Sequence, residues 1–372
     1  MKQEKSFCLV TSNYPPDIGG PAKFASTFPQ SQGSISGYVI TTTSTKSDTL
    51  KFANHEVIRV SRNQNVVMRF VKVVWKIRKY THRECSAIIA NGFFIETYFA
   101  SILSNRQYVA KIPGDLVWER AKNSGKTISN ILDFQKLRLP IGLSVLRYFN
   151  SKSIRFARKV ICPTTELAKV AEHWGVSPAK IEIIPNSIDT TVFSPNKVIS
   201  KDIDVICVNR LVEWKGLTEV IETCASLGLK LAIAGSGPLL HDLTSLTSRL
   251  NANVEFLGDL ANADLVNFYQ RANYYVLNST YEATSYSLLE AMACGVIPIA
   301  RVNTGSAEVI QQHVNGLLVG DDHYPDLYYA LKYLMSNKMH NDSMSSAAIA
   351  RVNNHFCITS NYRKIADVLF NV

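Results

Sequence analysis

The sequence predicts an α/β protein made of two doubly wound, Rossmann-like domains that face a cleft. Three observations carry this. Short, almost wholly apolar segments alternate with longer helical ones, the signature of parallel sheets covered on both faces. The alternation runs twice along the chain. Between the two runs, residues 184–202 (IPNSIDTTVFSPNKVISKD) break the pattern with two prolines and several turn formers, marking a linker. In the first run the strand segments are 6–12, 38–43, 56–60, 86–90, 108–112, 159–163 and 180–184, with helical stretches at 64–80, 94–105 and 140–157. In the second, DVICVN, LAIAG, VEFLG, YYVLN, VIPIA and GLLV are the strands. The expected domains are 1–195 and 196–355, with 356–372 supplying an amphipathic helix (NYRKIADVLF) that returns to the first domain.

A chain of 372 residues is long enough for two cores. Its 46% apolar and 19% charged content is that of a soluble globular protein. No run of 18 apolar residues argues for a membrane span, and the apolar piece of MKQEKSFCLVTSNY is too short for a signal peptide, so a cytoplasmic protein is expected. The seven cysteines have no paired spacing and read as reduced core residues without a metal. Charge is uneven. Residues 1–195 hold 27 Lys and Arg against 13 Asp and Glu, a net +14, whereas residues 196–372 hold 13 against 17, a net −4. The basic half favours an anionic surface or substrate. Zinc-finger spacing and an RNA-recognition signature are both missing, so nucleic acid is not an expected partner.

In doubly wound domains ligands bind at the C-terminal ends of strands, which directs attention to the turns there. The first strand runs into SNYPPDIGGPAKF, where Gly19 and Gly20 allow close backbone approach before a helix. This is not the dinucleotide fingerprint G-x-G-x-x-G, which argues against a nicotinamide oxidoreductase. The first strand of the second domain runs into VNRLVEWKGL, where Arg210 and Lys215 place two cations beside a helix start, an arrangement suited to a diphosphate. AGSGPL supplies a second tight turn through Gly235 and Gly237. In YEATSYSLLEAMACGVIPIA a loop carboxylate, Glu282, precedes a helix that begins near Ser285 with Thr284 or Ser285 as its cap and ends at Gly295. The backbone N–H groups of Thr284, Ser285, Tyr286 and Ser287 then face an anion, and Glu282 and Glu290 can accept from sugar hydroxyls on either side of it. A nucleotide sugar fits that layout. Asp202 and Asp204 spell D-x-D, but they open a strand at the end opposite to any ligand, so no metal site is expected there.

Taken in order, these motifs resemble the family 4 retaining glycosyltransferases of the GT-B fold. The matching stretches are RLVEWKG (210–216), GSGPL (235–239), EATSYSLLEAMACGVIP (282–298), GSAEVI (305–310), NGLLV (315–319), PNSID (185–189) and YPPDIGG (14–20), spread over essentially the whole chain. The resemblance implies that Arg210 and Lys215 hold the donor diphosphate, Glu290 binds the ribose hydroxyls, Glu282 contacts the donor sugar, and Gly20 brings first-domain backbone to the phosphate. It implies retention of configuration without a metal or other cofactor, the leaving diphosphate helping to deprotonate the acceptor hydroxyl. Bacterial polysaccharide or glycolipid assembly, of the lipopolysaccharide or capsule kind, is the implied setting, with a glycan or polyprenyl-linked acceptor. Many members carry a histidine after the strand matching YVAKI. Here the loop reads KIPGDLVWERA, with Asp115 near that place as a candidate catalytic group and Trp118 and Glu119 as acceptor-side candidates. A subset of bacterial members has a similar stretch. Asn91, ending the strand in IIANGFF, is a further acceptor-side candidate, and Ser187 and Ser285 stand where glycines are usual.

Two other functions fit the same architecture: a nucleotide-sugar epimerase, and a non-catalytic sugar-nucleotide-binding subunit. Retention of Arg210, Lys215, Glu282 and Glu290 argues against the latter. VVMRFVKVVWKIRKY (66–80) is both basic and apolar. As a helix it places Arg69, Lys72, Lys76 and Lys79 on one side and Phe70, Val73, Val74 and Ile77 on another. It serves either as a packing helix with a charged outer face or as an attachment to anionic lipid at the inner face of a cell membrane.

Overall fold

The structure, a computed structural model, describes residues 5–44, 48–82, 85–127, 129–196 and 198–371. Met1 to Glu4, part of the stretch read for a targeting segment, and Lys197 of the linker lie outside them. The chain divides into two compact units, Met1–Pro185 with Tyr362–Val372, and Asn186–Asn361.

The first unit begins with β1 (Ser6–Thr11), α1 (Gly20–Ser31), β2 (Ser36–Thr43), β3 (Thr49–Lys51), β4 (His55–Ser61) and α2 (Val66–His82). It continues through β5 (Ala87–Asn91), α3 (Phe94–Ser104), β6 (Val109–Lys111), α4 (Leu116–Asn123), α5 (Ile131–Phe134), α6 (Ile141–Phe156), β7 (Lys159–Cys162), α7 (Thr165–His173) and β8 (Ile181–Ile183). Its eight-stranded sheet has the order β3-β4-β2-β1-β5-β6-β7-β8. Strand order reverses between β1 and β5, so their C-terminal ends, at Thr11 and Asn91, form a topological switch point. β1 is buried along its full length, as a central parallel strand must be. One element departs from the all-parallel expectation. β3 pairs antiparallel with β4 at the sheet edge, Leu50 opposite Val57, and its three residues are too few to show a period in the sequence.

The second unit carries β9 (Ile203–Val208), α8 (Leu217–Leu227), β10 (Leu231–Ala234), α9 (Leu240–Leu250), β11 (Val254–Gly258), α10 (Asn262–Gln270) and β12 (Ala272–Leu277). Then come α11 (Tyr286–Ala293), β13 (Ile297–Arg301), β14 (Leu317–Val319), α12 (Leu327–Ser336), α13 (Lys338–His355) and α14 (Ile358–Phe370). The sheet order β11-β10-β9-β12-β13-β14 is wholly parallel and switches direction between β9 and β12. Alternate strand residues feed two apolar layers: Ile206, Ala232, Tyr275 and Leu277 on one face, Val205, Cys207, Ile233 and Val276 on the other. That double burial explains why the strands read as apolar runs rather than alternating ones. From Tyr362 onward α14 belongs to the first unit. There the Tyr362 hydroxyl lies 2.6 Å from Thr27 Oγ1, its ring meets Phe24 and Phe28 edge-on, and Arg158 donates to the carbonyls of Val368 and Leu369.

The cysteines are all free thiols, and six of the seven are buried. Lys111 is the unexpected charge in the core: it ends β6, is buried, and sets its ammonium 4.5 Å from the centre of the Phe24 ring. Burial holds its pKa down to about 8, because the charged form is desolvated. Between that value and the ordinary 10.5 the unfolded chain binds the proton more tightly than the folded one, so folding stability rises with pH across this window. Lys111→Met removes the effect. In chemical denaturation at about pH 7.5 and about pH 10.5, the wild-type chain gains about 3 kcal/mol relative to the variant. A constant difference between the two proteins would show that Lys111 stays charged throughout.

Candidate functional site

The site of the second unit lies where β9 and β12 end. Leaving β9, the chain passes Asn209 and Arg210, turns through a 3₁₀ segment at Glu213–Lys215, and enters α8 through Gly216. Gly216 takes a left-handed φ of 63° and lies so close to Asn278 that a Cβ there would come within 2.7 Å of its backbone oxygen. The two loops are laced together: Asn278 Nδ2 donates to Gly216 O at 2.9 Å and Thr280 N to Trp214 O at 2.9 Å. This lacing sets Lys215 against Glu282, whose Oε1 receives the Lys215 ammonium and also the Ser279 hydroxyl at 3.0 Å. The two side chains are only 16% and 15% exposed, so the pair is largely withdrawn from water. Arg210, in the same loop, is exposed.

Gly235 and Gly237 are needed for a reason other than close approach to a ligand. A Cβ on Gly235 would lie 2.0 Å from the Asn209 carbonyl oxygen, and one on Gly237 2.4 Å from that of Leu211. The turn after β10 is packed backbone to backbone on the loop that carries Arg210, and Leu211 N donates to Ser236 O at 2.9 Å. The loop after β13 holds Glu282 in the same manner. Gly305 N donates to Glu282 O at 2.7 Å, and a Cβ on Gly305 would meet that oxygen at 2.7 Å.

Helix α11 starts at Tyr286, four residues beyond Glu282. Its cap, Ser285, makes no side-chain capping bond; its hydroxyl lies 3.1 Å from that of Ser287, which lies 2.7 Å from Tyr275 Oη. Thr284 is buried, and its carbonyl accepts from Asn186 Nδ2 at 2.9 Å. The positive end of the helix dipole thus sits beside the Lys215–Glu282 pair. Glu290 is no surface glutamate. It is 4% exposed, and its Oε2 accepts from Tyr269 Oη at 2.9 Å. Burial, and then the nearby Glu290 carboxylate, push the Tyr269 phenol well above its usual range. Asp202, of the D-x-D, lies at the opposite end of β9 and binds Arg271 with both oxygens, at 2.8 and 2.5 Å.

In the first unit the structure brings Gly19, Gly20 and Asn91 together at the β1–β5 switch point. Gly19 caps α1 with φ 127°, and buried Asn91 donates from Nδ2 to Pro21 O at 3.1 Å, fixing the glycine turn against the end of β5. Asp115 needs correction as a catalytic candidate. It is the N-cap of α4: Oδ1 accepts from Val117 N and Trp118 N at 2.8 and 3.2 Å, and Oδ2 from Gln135 Nε2 at 2.9 Å. Burial raises its pKa, and these bonds oppose the rise. With both oxygens committed, it positions the loop instead of facing a substrate. Trp118 is buried, with Nε1 donating to Ser129 O at 3.0 Å, and packs instead of lining an open face, whereas Glu119 is exposed on α4.

Sequence reasoning missed Ser279, Asn278, Tyr269 and Asn209. The first two follow directly on an apolar strand, which is the available signal. Tyr269 and the buried, unpaired amide of Asn209 have none, because their roles come from tertiary packing.

A family model for "Glycosyl transferases group 1" matches residues 189–351, and one for "Glycosyltransferase Family 4" matches residues 129–192. The chain is thus a glycosyltransferase that carries family 4 and group 1 domains on two units of the GT-B fold. The GDP-mannose-dependent monoacylated alpha-(1-6)-phosphatidylinositol monomannoside mannosyltransferase of Corynebacterium glutamicum is 24% identical, over 95% of this chain and 94% of its own length. The N-acetylgalactosamine-N,N'-diacetylbacillosaminyl-diphospho-undecaprenol 4-alpha-N-acetylgalactosaminyltransferase of Campylobacter jejuni is 23% identical over 290 residues, 74% of this chain and 75% of its length. Anabaena Alr3699/HepE, solved in complex with UDP, superposes with a TM-score of 0.76 at 18% identity over 98% of each chain, a likeness of fold.

Proposed function

We propose that this glycosyltransferase moves a sugar from a nucleotide-diphosphate sugar to a hydroxyl of a glycan or lipid-linked acceptor, retaining configuration and using no metal ion. The observation that carries this is the Lys215–Glu282 pair at the β9–β12 switch point, beside the N-terminus of α11. Incoming phosphate oxygens compete with Glu282 for the Lys215 ammonium. Glu282 is thereby released to accept from hydroxyls of the donor sugar. Arg210, Lys215 and the first-turn amides of α11 neutralise the diphosphate as the bond from sugar C1 to its oxygen breaks. The acceptor oxygen bonds C1 from the same face, and its proton passes to the departing diphosphate. Glu290, oriented by Tyr269, takes the ribose hydroxyls. Gly19, Gly20, Asn91 and Glu119 belong to the acceptor-side unit. The UDP in the Anabaena neighbour and the diphospho-undecaprenol in the name of the Campylobacter relative support a donor and an acceptor of these kinds.

We assign α2 to peripheral attachment on an anionic membrane. Among the described residues no helix is long and apolar enough to cross a bilayer. Val73, Val74 and Ile77 are buried, as the helical pattern requires. The outer face exposes Val66, Val67, Met68, Val71 and Trp75 among its lysines, with Lys76 and Lys79 over the Trp75 ring at 5.4 and 5.5 Å. Apolar side chains ringed by ammonium groups suit the headgroup boundary.

Arg210→Ala and Lys215→Ala each weaken UDP or GDP binding by about 1.5–3 kcal/mol, roughly 10- to 150-fold, in calorimetric titration, and Glu282→Ala lowers turnover in a folded protein. Unchanged affinity for both nucleotides in both cation variants contradicts the diphosphate assignment. For the membrane face, Val71→Asp with Trp75→Asp reduces co-sedimentation with vesicles containing anionic phospholipid. Equal sedimentation of variant and wild type removes α2 from the attachment.

A further inference from the structure

A cavity of about 570 Å³ opens in the first unit, away from the β1–β5 switch point. One face of α6 forms its floor, the 135–139 turn one wall, and the end of α7 the other. Its lining holds Arg138, Arg147, Arg155 and His173 with the rings of Tyr148 and Trp174, and no aspartate or glutamate side chain is among the lining residues. The lining is thus basic without a carboxylate, and the planar donor forks of Arg138 and Arg155 match phosphate oxygens, whereas Arg147 spends its fork on the cavity wall.

Local structure builds this arrangement. Arg147 is fixed by its own bonds: Nη2 donates to Phe134 O at 3.0 Å, Nη1 to the carbonyls of Gln135 and Leu137 at 3.3 Å each, and the guanidinium lies 4.8 Å from the centre of the Phe134 ring. Arg155 reaches the cavity past Gly175, where a Cβ would lie 3.0 Å from its Cδ. Arg138 and Arg155 are both exposed.

Two further observations define the ligand. The same helix exposes an apolar ridge next to the cavity at i, i+4 and i+7: Ile141 is 84% exposed, and Val145 and Tyr148 are more than a third exposed. The cavity also shares a wall with the acceptor-side loop. Gln135 accepts from Trp174 Nε1 at 3.0 Å and donates to Asp115 Oδ2 at 2.9 Å, and Asp115 caps α4 directly after β6. A ligand that is anionic at one end, apolar at the other and held next to that loop meets all three conditions. We propose that this cavity seats the phosphate or diphosphate of a lipid-linked acceptor, with the start of its apolar chain along Ile141, Val145 and Tyr148. The identity of the ligand rests on the acceptor class proposed above; the anion site rests on the cavity itself.

The test uses farnesyl diphosphate and sodium pyrophosphate as probes, titrated calorimetrically into the full chain carrying Arg210→Ala and Lys215→Ala, so that the donor site contributes nothing. Farnesyl diphosphate binds this protein more tightly than pyrophosphate, and adding Arg138→Glu with Arg155→Glu weakens it at least tenfold. Equal affinity for the two probes overturns the lipid assignment, and undiminished farnesyl diphosphate binding after charge reversal overturns the site. In the otherwise native chain, Arg138→Glu with Arg155→Glu leaves UDP and GDP affinity unchanged, which shows that the fold is intact. Failure of the nucleotide-sugar proposal shows separately, as absent nucleotide binding in the native chain.

Discussion

The ion pair between Lys215 and Glu282 is the interaction on which the rest of the site depends. Its partners come from segments 67 residues apart, one leaving β9 and one leaving β12, and they meet because those strands are neighbours at the point where sheet order reverses. A lysine on a flexible loop would have to give up considerable side-chain freedom to bind a diphosphate. Here Glu282 restrains the Lys215 ammonium, and the Ser279 hydroxyl in turn restrains Glu282. Little water reaches the pair, so its electrostatics exceed those of a surface salt bridge, whose net worth is small.

The pair could not persist without the loops beneath it. Gly235 and Gly237 bring one backbone against the Asn209–Leu211 segment, Gly216 brings that segment's exit against Asn278, and Gly305 brings the loop after β13 against Glu282. At each contact a methyl group would lie inside van der Waals distance of a backbone atom. These glycines therefore act as packing residues for a stack of loops. The same logic holds in the first unit, where Asn91 Nδ2 and both carboxylate oxygens of Asp115 serve turn and helix geometry. Rigid loops of this kind fix the backbone positions from which a small number of charged side chains reach the site.

Much of this was legible in the sequence. The apolar strands alternating with helices gave both sheets, because strands buried on two faces carry a continuous signal. The spacing from Glu282 to Glu290 placed the start of α11 correctly, since a loop carboxylate followed by an apolar helical run allows little else. What remained hidden has a common cause. β3 is three residues long and owes its strand conformation to pairing with β4. The partnership of Lys215 with Glu282, the burial of Glu290 against Tyr269 and the commitment of Asp115 to a helix cap are all contacts decided by packing. Composition also concealed the Lys111 ammonium within the first core and the three arginines around the α6 cavity, since a basic count shows neither burial nor convergence.

The most direct test is a crystal structure of the protein soaked with a nucleotide-diphosphate sugar. The expected result places both phosphorus atoms within hydrogen-bonding reach of Arg210, Lys215 and the backbone amides of residues 284–287, with Lys215 turned from Glu282 toward the phosphates. Phosphates bound elsewhere, with the Lys215–Glu282 pair undisturbed, would contradict the account.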